Sequence, residues 1–527
     1  MTVREATLDL LRSLGVTKFF GNPGSTELPF LDRWPEDIEY VLGLQEASVV
    51  AMADGYARAT GNAAFVNLHS AAGLGHALGN VYTAFRNRAP LVITAGQQAR
   101  ELLPGVPYLG AVAAAEFPRP YVKFSIEPAR AEDVPEAIAK AYYMAMQRPF
   151  GPTFVSIPVD DWSRPASFVV PRAISSDRGP DPERISEAAR ILSAARKPVL
   201  VVGSEVDEEN AGPALMAFAE RVGAPVMTAP FASRICFPED HPLFQGFLPA
   251  SPGGISDALC DFDLIVVVGA PVFTYHVPGD SALMRSNTPI LQFTSDAESA
   301  VSAVRAQSVL GSLRLTLQAF LDATAPRTKT ASASPRKKAA SPVSSEKLTA
   351  EILFSRIGQL IPDDVVVMEE SPSTRPTMQN HLIMKEWGSF YTMASGGLGY
   401  GLPGAVGLAL ARPEQKVLCL IGDGSFMYSP QALWTAVQHN LDLKVLVINN
   451  GGYGAMRSFS QLLQVRNVPG IELSGLDFLS LARGMGCKAT KVSNPSELEA
   501  SLGALFASRG PHLLEVEIDR DVQTLYD

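Results

Sequence analysis

Two glycine-rich segments in the last quarter of the chain have residue types that suit a metal-bound diphosphate. GDGS at 422–425 and NNGGYG at 449–454 each follow a strand-like apolar run, and 24 residues separate Gly424 from Asn449. Glycines let backbone N–H groups approach phosphate oxygens closely. Asp423 and Asn450 offer a carboxylate and an amide oxygen, ligands that suit Mg²⁺. The alternative is two ordinary strand-end turns, because Gly-Asp-Gly alone is common.

The elements that position these segments are predicted from apolar runs along the whole chain. Short β-branched runs ending in Gly, Asn or Asp, each followed by helical spacing, lie at 91–95, 199–202, 264–268, 417–421 and 445–448. Such runs are typical of parallel strands buried under helices on both faces. The predicted fold class is therefore α/β, with doubly wound, mostly parallel sheets. A helix at about 431–439 is expected to direct its amino terminus toward the anion.

The pattern is interrupted twice, which predicts three α/β domains at 1–175, 182–324 and 346–527. Residues 325–345 consist mainly of Ala, Ser, Pro, Lys and Arg, with almost nothing to bury, so we expect an exposed linker. Prolines and glycine crowd a weaker boundary near 170–182. The middle domain has strand and helix alternation but no GxGxxG motif after its strands, so a bound dinucleotide is not indicated.

Composition narrows the classes of function. The 527 residues are 46% hydrophobic and carry 44 Lys and Arg against 54 Asp and Glu, a formal charge of −10. A disordered chain is excluded, and the acidic balance disfavours nucleic acid and membrane partners, so small molecules are favoured. The four cysteines form no CxxC pair, which disfavours a zinc site. Without a signal-like segment or a long apolar run, we expect a cytoplasmic protein.

The paired GDG and NN segments are similar to the thiamine diphosphate signature, and the chain as a whole resembles the benzoylformate decarboxylases. The resemblance includes GNPGSTELPF at 21–30, LQEA at 44–47, NLHSAAG at 67–73, GAPVFTYH at 269–276 and GGLG at 396–399. It implies thiamine diphosphate and Mg²⁺ as cofactors, with pyrimidine-binding, middle and diphosphate-binding domains in that order. It also implies a homotetramer in which the first domain of one subunit and the third of another form each active site.

The resemblance assigns four catalytic residues and one that shapes the cofactor. Glu46 would hydrogen-bond to the cofactor's pyrimidine ring, Ser25 would contact the substrate carboxylate, and His69 and His276 would move protons. Leu398 would be the bulky residue that holds the cofactor folded. Each has a plainer alternative: Glu46 opens a helix, Ser25 caps one, Leu398 belongs to the core, and the histidines are structural. Glu27 also matches a family acid, without a clear role.

The remaining site residues are implied in the same way. For the metal they are Asp423, Asn450 and Gly452. For the cofactor they are Glu46, Ser373, Gly396, Leu398, Gly422, Asp423, Gly424, Ser425, Tyr428, Asn450, Gly452, Tyr453 and Gly454. For the substrate pocket they are Ser25, His69, His276, Thr392, Met456 and Phe459. Three positions depart from the family: Thr392 replaces a pocket phenylalanine, Pro372 a threonine near the diphosphate, and His76 an asparagine.

The expected reaction is the non-oxidative decarboxylation of a 2-oxo acid, with benzoylformate as the first candidate, giving benzaldehyde and CO₂. One alternative is a carboligase or transferase of the same superfamily, similar to acetohydroxyacid synthase. Another is a decarboxylase of a different 2-oxo acid. A catalytically silent homologue that serves as a binding protein is the third.

Overall fold

The computed structural model describes residues 1–326, 336, 339, 346–521 and 523–525. They form three six-stranded sheets in which all paired strands are parallel, with helices between the strands. The predicted α/β class is confirmed. Most of the predicted linker lies outside the described residues. Among the residues described, no helix combines the length and apolar composition that crossing a membrane requires.

The first domain contains the sheet β2-β1-β3-β4-β6-β5. Its strands are β1 (Lys18–Asn22), β2 (Glu39–Leu42), β3 (Ala64–Leu68), β4 (Leu91–Gln97), β5 (Ser125–Ile126) and β6 (Thr153–Pro158). Its helices are α1 (Val3–Ser13), α2 (Leu28–Leu31), α3 (Glu46–Thr60), α4 (Ser70–Arg86) and α5 (Val134–Ala145), with 3₁₀ turns at Arg100–Leu102, Ala114–Glu116, Ala131–Asp133 and Val159–Ser163. The side chain of Gln45 caps α3 by accepting from the Ser48 N–H (3.1 Å), and α3 ends at Gly61 with a φ of +70°.

The middle domain contains the sheet β12-β11-β10-β7-β8-β9. Its strands are β7 (Pro198–Val202), β8 (Val226–Thr228), β9 (Phe244–Phe247), β10 (Leu264–Val268), β11 (Ile290–Thr294) and β12 (Ala306–Leu310). Its helices are α6 (Pro182–Ala194), α7 (Glu205–Glu208), α8 (Gly212–Val222), α9 (Pro252–Leu259), α10 (Ala282–Arg285), α11 (Ala297–Ser302) and α12 (Leu313–Ala323). Where the strand order reverses, between β7 and β10, Arg88 of the first domain pairs with Glu205 (2.8 Å) and Asp296 (2.7 Å).

The third domain contains the sheet β14-β13-β15-β16-β18-β17, which repeats the strand order of the first domain. Its strands are β13 (Val366–Glu370), β14 (Phe390–Thr392), β15 (Val417–Gly422), β16 (Leu443–Asn449), β17 (Lys488–Val492) and β18 (His512–Glu517). Its helices are α13 (Ala350–Leu360), α14 (Arg375–His381), α15 (Gly401–Ala411), α16 (Asp423–Phe426), α17 (Ala432–Gln438), α18 (Gly454–Leu462), α19 (Phe478–Gly484) and α20 (Pro495–Ala507). Since β15 and β16 pair directly, the GDG and NN segments follow neighbouring strands.

The first and third domains join where α3 packs on α15 with their backbones in contact. A Cβ atom added at Gly55 would lie 2.1 Å from the carbonyl oxygen of Gly404, and one added at Gly407 would lie 1.9 Å from that of Met52. Beside this contact, the buried Arg58 donates to the carbonyl oxygens of Thr392 (3.0 Å) and Ser233 (2.8 Å). Arg58 therefore ties all three domains together through one buried guanidinium.

This contact predicts a stability effect. Gly407→Ala should lower the free energy of unfolding by about 1–3 kcal/mol, because the new methyl group forces the two helices apart. Gly503→Ala is the matched control: Gly503 lies in α20, is exposed, and has no neighbour within 4 Å of an added Cβ. The control should stabilise the chain by about 0.5–1 kcal/mol. Thermal unfolding of both variants measures the difference, and equal shifts would contradict the close contact.

Candidate active site

A cavity of about 730 Å³ lies mainly between the middle and third domains, at the carboxyl ends of β15 and β16, and its lining also includes Tyr82 and Arg86 of the first domain. Thirteen of the predicted site residues line it. They are His276, Ser373, Gly396, Leu398, Gly422, Asp423, Gly424, Ser425, Gly452, Tyr453, Gly454, Met456 and Phe459. Loops after neighbouring parallel strands commonly form such ligand sites.

Asp423 is fixed at the start of α16, directly after β15. Its Oδ1 accepts from the N–H of Gly424 (2.7 Å) and its Oδ2 from the N–H of Gly452 (2.8 Å), so one carboxylate joins the two glycine-rich segments. Burial raises the pKa of Asp423, and these backbone N–H groups oppose the rise. A buried carboxylate of this kind is stabilised in its ionised form by a nearby cation.

Asn450 follows β16 and is buried beside Gly454, a residue that lines the cavity. Its side-chain Oδ1 is buried and has no hydrogen-bond partner among the described residues. A Cβ atom added at Gly454 would lie 2.7 Å from Asn450 Nδ2 and 2.9 Å from the Cβ of Ser373, so only glycine fits there. Buried amide oxygens are rarely left unpaired. An oxygen-only donor set with one unpaired amide oxygen fits Mg²⁺.

The predicted helix at 431–439 is observed as α17, but a shorter helix precedes it directly after β15. The chain forms the four-residue α16 at Asp423–Phe426 and then, after a short break, α17 at Ala432–Gln438. A helical turn can begin directly after β15 because the Asp423 carboxylate accepts from the N–H of Gly424 in the first turn of α16. The helix that begins at the GDG segment is therefore α16.

His276 comes from the middle domain and meets an aromatic residue of the third. Its ring lies edge-on to Phe459 (4.9 Å between centroids) and to Phe231 (5.7 Å), and its backbone N–H donates to the carbonyl of Ala250 (2.9 Å). Partial desolvation lowers the pKa of His276, which favours the neutral ring.

The aromatic contact predicts a measurable change at His276. Phe459→Ala should raise the pKa of His276 back toward 6.5, because the ring then gains access to water. NMR titration of the histidine rings measures this directly. His512 serves as an internal control, since its pKa is lowered to about 4 by burial and by nearby lysines of the third domain. A His276 pKa that does not move would contradict the contribution of Phe459.

Six predicted residues do not line the cavity of a single copy: Ser25, Glu46, His69, Thr392, Tyr428 and Asn450. Thr392 is fully buried in β14, where its hydroxyl donates to Glu369 (3.0 Å) and accepts from Arg375 (2.8 Å). The hydroxyl that replaces the family's phenylalanine thus belongs to a buried ion-pair network. Ser25 is exposed, and the residue before α2 is Glu27, without a side-chain cap.

His69 is oriented by Glu27, the acid whose role the sequence left open. Its Nδ1 lies 2.8 Å from Glu27 Oε2, and the buried carboxylate also accepts from the N–H groups of Gly24 (2.8 Å) and Gly96 (3.0 Å). A carboxylate can only accept, so Nδ1 carries the proton of the neutral ring. The other nitrogen, Nε2, is then the one able to take up a proton.

Glu46 begins α3 and faces α4. Its Oε2 lies 3.2 Å from Nδ1 of His76, one of the residues that departs from the family. An added Cβ at Gly73 would lie 3.3 Å from Glu46 Oε1, so glycine keeps the carboxylate close to α4. Opening a helix does not account for this placement, because the side chain turns toward a second helix.

Comparisons with known proteins agree with this geometry. Family models match three segments: thiamine pyrophosphate enzyme, N-terminal TPP binding domain (1–117), central domain (185–320) and C-terminal TPP binding domain (373–516). Benzoylformate decarboxylase from Pseudomonas aeruginosa is 42% identical over 521 residues, 98% of each chain. The chain belongs to the benzoylformate decarboxylase family. It is therefore a carboxy-lyase that uses thiamine diphosphate, with Mg²⁺ as the partner metal.

Solved structures of the benzoylformate decarboxylase family superpose closely. The benzoylformate decarboxylase of Polynucleobacter necessarius is 41% identical with a TM-score of 0.96, each chain being covered to 99%. A thiamine diphosphate-dependent 4-hydroxybenzoylformate decarboxylase from Rhodococcus jostii RHA1 is 38% identical with a TM-score of 0.94, over 99% of this chain and 100% of that one.

Several residues around the site were not singled out from the sequence. Phe231, Tyr275 and Arg375 line the cavity, and Glu370 holds the turn beside Leu398. Phe231 and Arg375 have no signal in a single sequence, because they reach the site only through the packing of separate domains. A signal did exist for Glu370: two glutamates, 369 and 370, end an otherwise apolar strand, which is unusual for residues buried without a purpose.

Proposed function

We propose that this enzyme decarboxylates an aromatic 2-oxo acid, benzoylformate, to benzaldehyde and CO₂. The observation that carries the proposal is the similarity over 98% of the chain to a benzoylformate decarboxylase. The aromatic and apolar lining of the cavity, with Phe231, Met456 and Phe459 near His276, supports an aromatic substrate.

In the proposed site, each residue has a task that its surroundings support. Asp423, Asn450 and the backbone of Gly452 would hold Mg²⁺, and the glycines of the two segments would accommodate the diphosphate. Bound thiamine diphosphate supplies the electron sink that permits loss of CO₂ from a 2-oxo acid. Ser25 donates to the substrate carboxylate. His69, with its Nδ1 proton held by Glu27, takes up or returns a proton at Nε2, and His276 does so as a ring whose neutral form is favoured by partial desolvation.

We further propose that two copies of the chain complete each site, within a homotetramer. Support comes from the separation seen in one copy: Ser25, Glu46 and His69 do not line the cavity that Asp423 lines. Coexpressing differently tagged Asp423→Ala and Glu46→Gln chains tests this. If sites form between copies, hybrid assemblies regain activity, because some sites receive neither substitution. Hybrids as inactive as either parent would contradict the shared site.

The substrate is tested with purified enzyme, thiamine diphosphate and Mg²⁺. Benzoylformate, 4-hydroxybenzoylformate, phenylpyruvate, pyruvate and branched 2-oxo acids should be compared by CO₂ release and by product chromatography. We expect kcat/KM for benzoylformate to exceed that for pyruvate at least about tenfold, the scale that a matched hydrophobic pocket provides. Preference for another 2-oxo acid would overturn benzoylformate as the substrate. A 2-hydroxy ketone as the main product would favour the carboligase.

A further inference from the structure

Leu398 lies in a turn that connects β14 to α15, and the residue that follows it is hydrogen-bonded at both backbone groups to side chains outside the turn. Gly399, the next residue, has a φ of +97°, which glycine adopts without strain. Its N–H donates to Glu370 Oε1 (2.7 Å), and its carbonyl accepts from the Ser429 hydroxyl (2.8 Å) and from Asn80 Nδ2 (3.4 Å). Both backbone groups of Gly399 are therefore bound by buried side chains.

Glu370 binds the end of this turn through both of its carboxylate oxygens. It is the last residue of β13, its side chain is fully buried, and its second oxygen accepts from the N–H of Gly401, the first residue of α15. The carboxylate thus spans the end of the turn and the start of the helix. Burial raises the pKa of Glu370 to about 7, and the N–H groups of Gly399 and Gly401 oppose this rise because they bind the ionised form more strongly than the neutral one.

We propose that Glu370 is a positioning residue for the decarboxylation. By accepting from the N–H groups of Gly399 and Gly401, it fixes the position of Leu398 in the cavity and thereby the folded conformation of the bound cofactor. This inference rests on the proposed function, because it takes Leu398 to be the residue beneath the cofactor. Glu370 itself does not line the cavity, so its effect passes through the turn.

Glu370 can bind both N–H groups because a carboxylate has two oxygens that accept hydrogen bonds. Glu370→Gln preserves shape but replaces one acceptor oxygen with an NH₂ group, which cannot accept from a second N–H. One of the two backbone N–H groups is then left unpaired in a buried place, which favours movement of the turn. Displacement of a positioning group by about 1 Å is enough to slow a reaction by about 100-fold.

The first measurement uses the protein without cofactor. Hydrogen exchange of segment 395–401 should be at least about tenfold faster in Glu370→Gln than in the unaltered chain, because its anchoring bond is lost. Glu369→Gln is the matched control: Glu369 precedes Glu370 in β13 and is equally buried, but it bonds to Ser371 and Thr392 instead of the turn. Equal acceleration in both variants would mean general destabilisation and would overturn the proposal.

The second measurement is a double-mutant cycle on proton exchange at C2 of bound thiamine diphosphate. Glu370→Gln and Leu398→Ala should each slow exchange by roughly 10- to 100-fold at saturating cofactor, and the double variant should be no slower than Leu398→Ala alone. Multiplying effects, or an unchanged rate in Glu370→Gln, would overturn the role of Glu370. An unchanged rate in Leu398→Ala would instead remove Leu398 from the proposed site.

A milder variant covers the case in which Glu370→Gln does not fold. Ser429→Ala removes only the hydroxyl that donates to the Gly399 carbonyl. It should accelerate hydrogen exchange of segment 395–401 and slow proton exchange at C2 of the bound cofactor, as Glu370→Gln does, but by smaller factors. Its effect on the C2 rate should also vanish in the Leu398→Ala background. Persistence of that effect would overturn the proposal, because the anchoring bonds would then act independently of Leu398.

Discussion

Asp423→Ala is expected to abolish metal-dependent retention of thiamine diphosphate. Asp423 is the carboxylate that joins the GDG and NN segments, through its bonds from Gly424 and Gly452. Its loss removes both the charge that neutralises Mg²⁺ and the contact that keeps the segments together. Removing partners that only support a metal ligand already costs about 10- to 100-fold in affinity, so we expect at least a 100-fold loss.

Calorimetric titration with thiamine diphosphate at fixed Mg²⁺ measures this effect. Asp423→Asn separates its two causes, because the amide retains one acceptor oxygen but carries no charge. Asp477→Ala controls for a lost N-cap: Asp477 caps α19 by accepting from Ser480 (2.9 Å) on the surface of the same domain. It should cost about 1 kcal/mol of stability and leave cofactor affinity unchanged. Unchanged affinity in Asp423→Ala would disprove the metal assignment.

Glu46→Gln is expected to slow proton exchange at C2 of the bound cofactor by about 10²- to 10⁴-fold, the range for loss of a group that transfers a proton. The amide has nearly the same shape as the carboxylate but cannot hold the proton. If Glu46 only complemented the dipole of α3, the variant would lose about 0.3–1 kcal/mol of stability and retain its exchange rate. Quenched-flow NMR distinguishes these outcomes.

His76→Asn is the control for this experiment. His76 contacts the Glu46 carboxylate (3.2 Å) and is exposed at the surface of α4, whereas the resemblance places an asparagine at its position. An asparagine can donate a hydrogen bond to the same carboxylate, so the exchange rate should stay within about threefold of the original. A large loss in His76→Asn would assign part of the proton transfer to His76.

The positions of strands could be predicted from the sequence where the strands are fully buried. β10 (Leu264–Val268) has the predicted bounds, and β15 and β16 extend their predicted runs by one to three residues, because fully buried parallel strands leave a continuous apolar signal. Helix α16 was missed, since four residues are too few for a periodic pattern.

The parts of the site that depend on contacts between distant residues could not be predicted as well from the sequence. The resemblance placed Thr392 in the substrate pocket, whereas its hydroxyl is taken into the Glu369–Arg375 ion pair. The bond between Glu27 and His69 joins residues 42 positions apart, and nothing local encodes it. Sequence patterns report each residue's own burial and periodicity, but they carry no record of which distant side chain becomes its partner.

The middle sheet has the strand order of dinucleotide-binding domains, and its reversal point between β7 and β10 is the place where such domains take up a nucleotide. Here Arg88 fills that position, held by Glu205 and Asp296. A nucleotide phosphate would have to approach two carboxylates and displace the Arg88 guanidinium, which is mostly buried and pairs the first domain with the middle one. An ion pair between two domains therefore lies where such folds bind a nucleotide, and engineering a nucleotide-responsive variant would begin by replacing Arg88, Glu205 and Asp296 together.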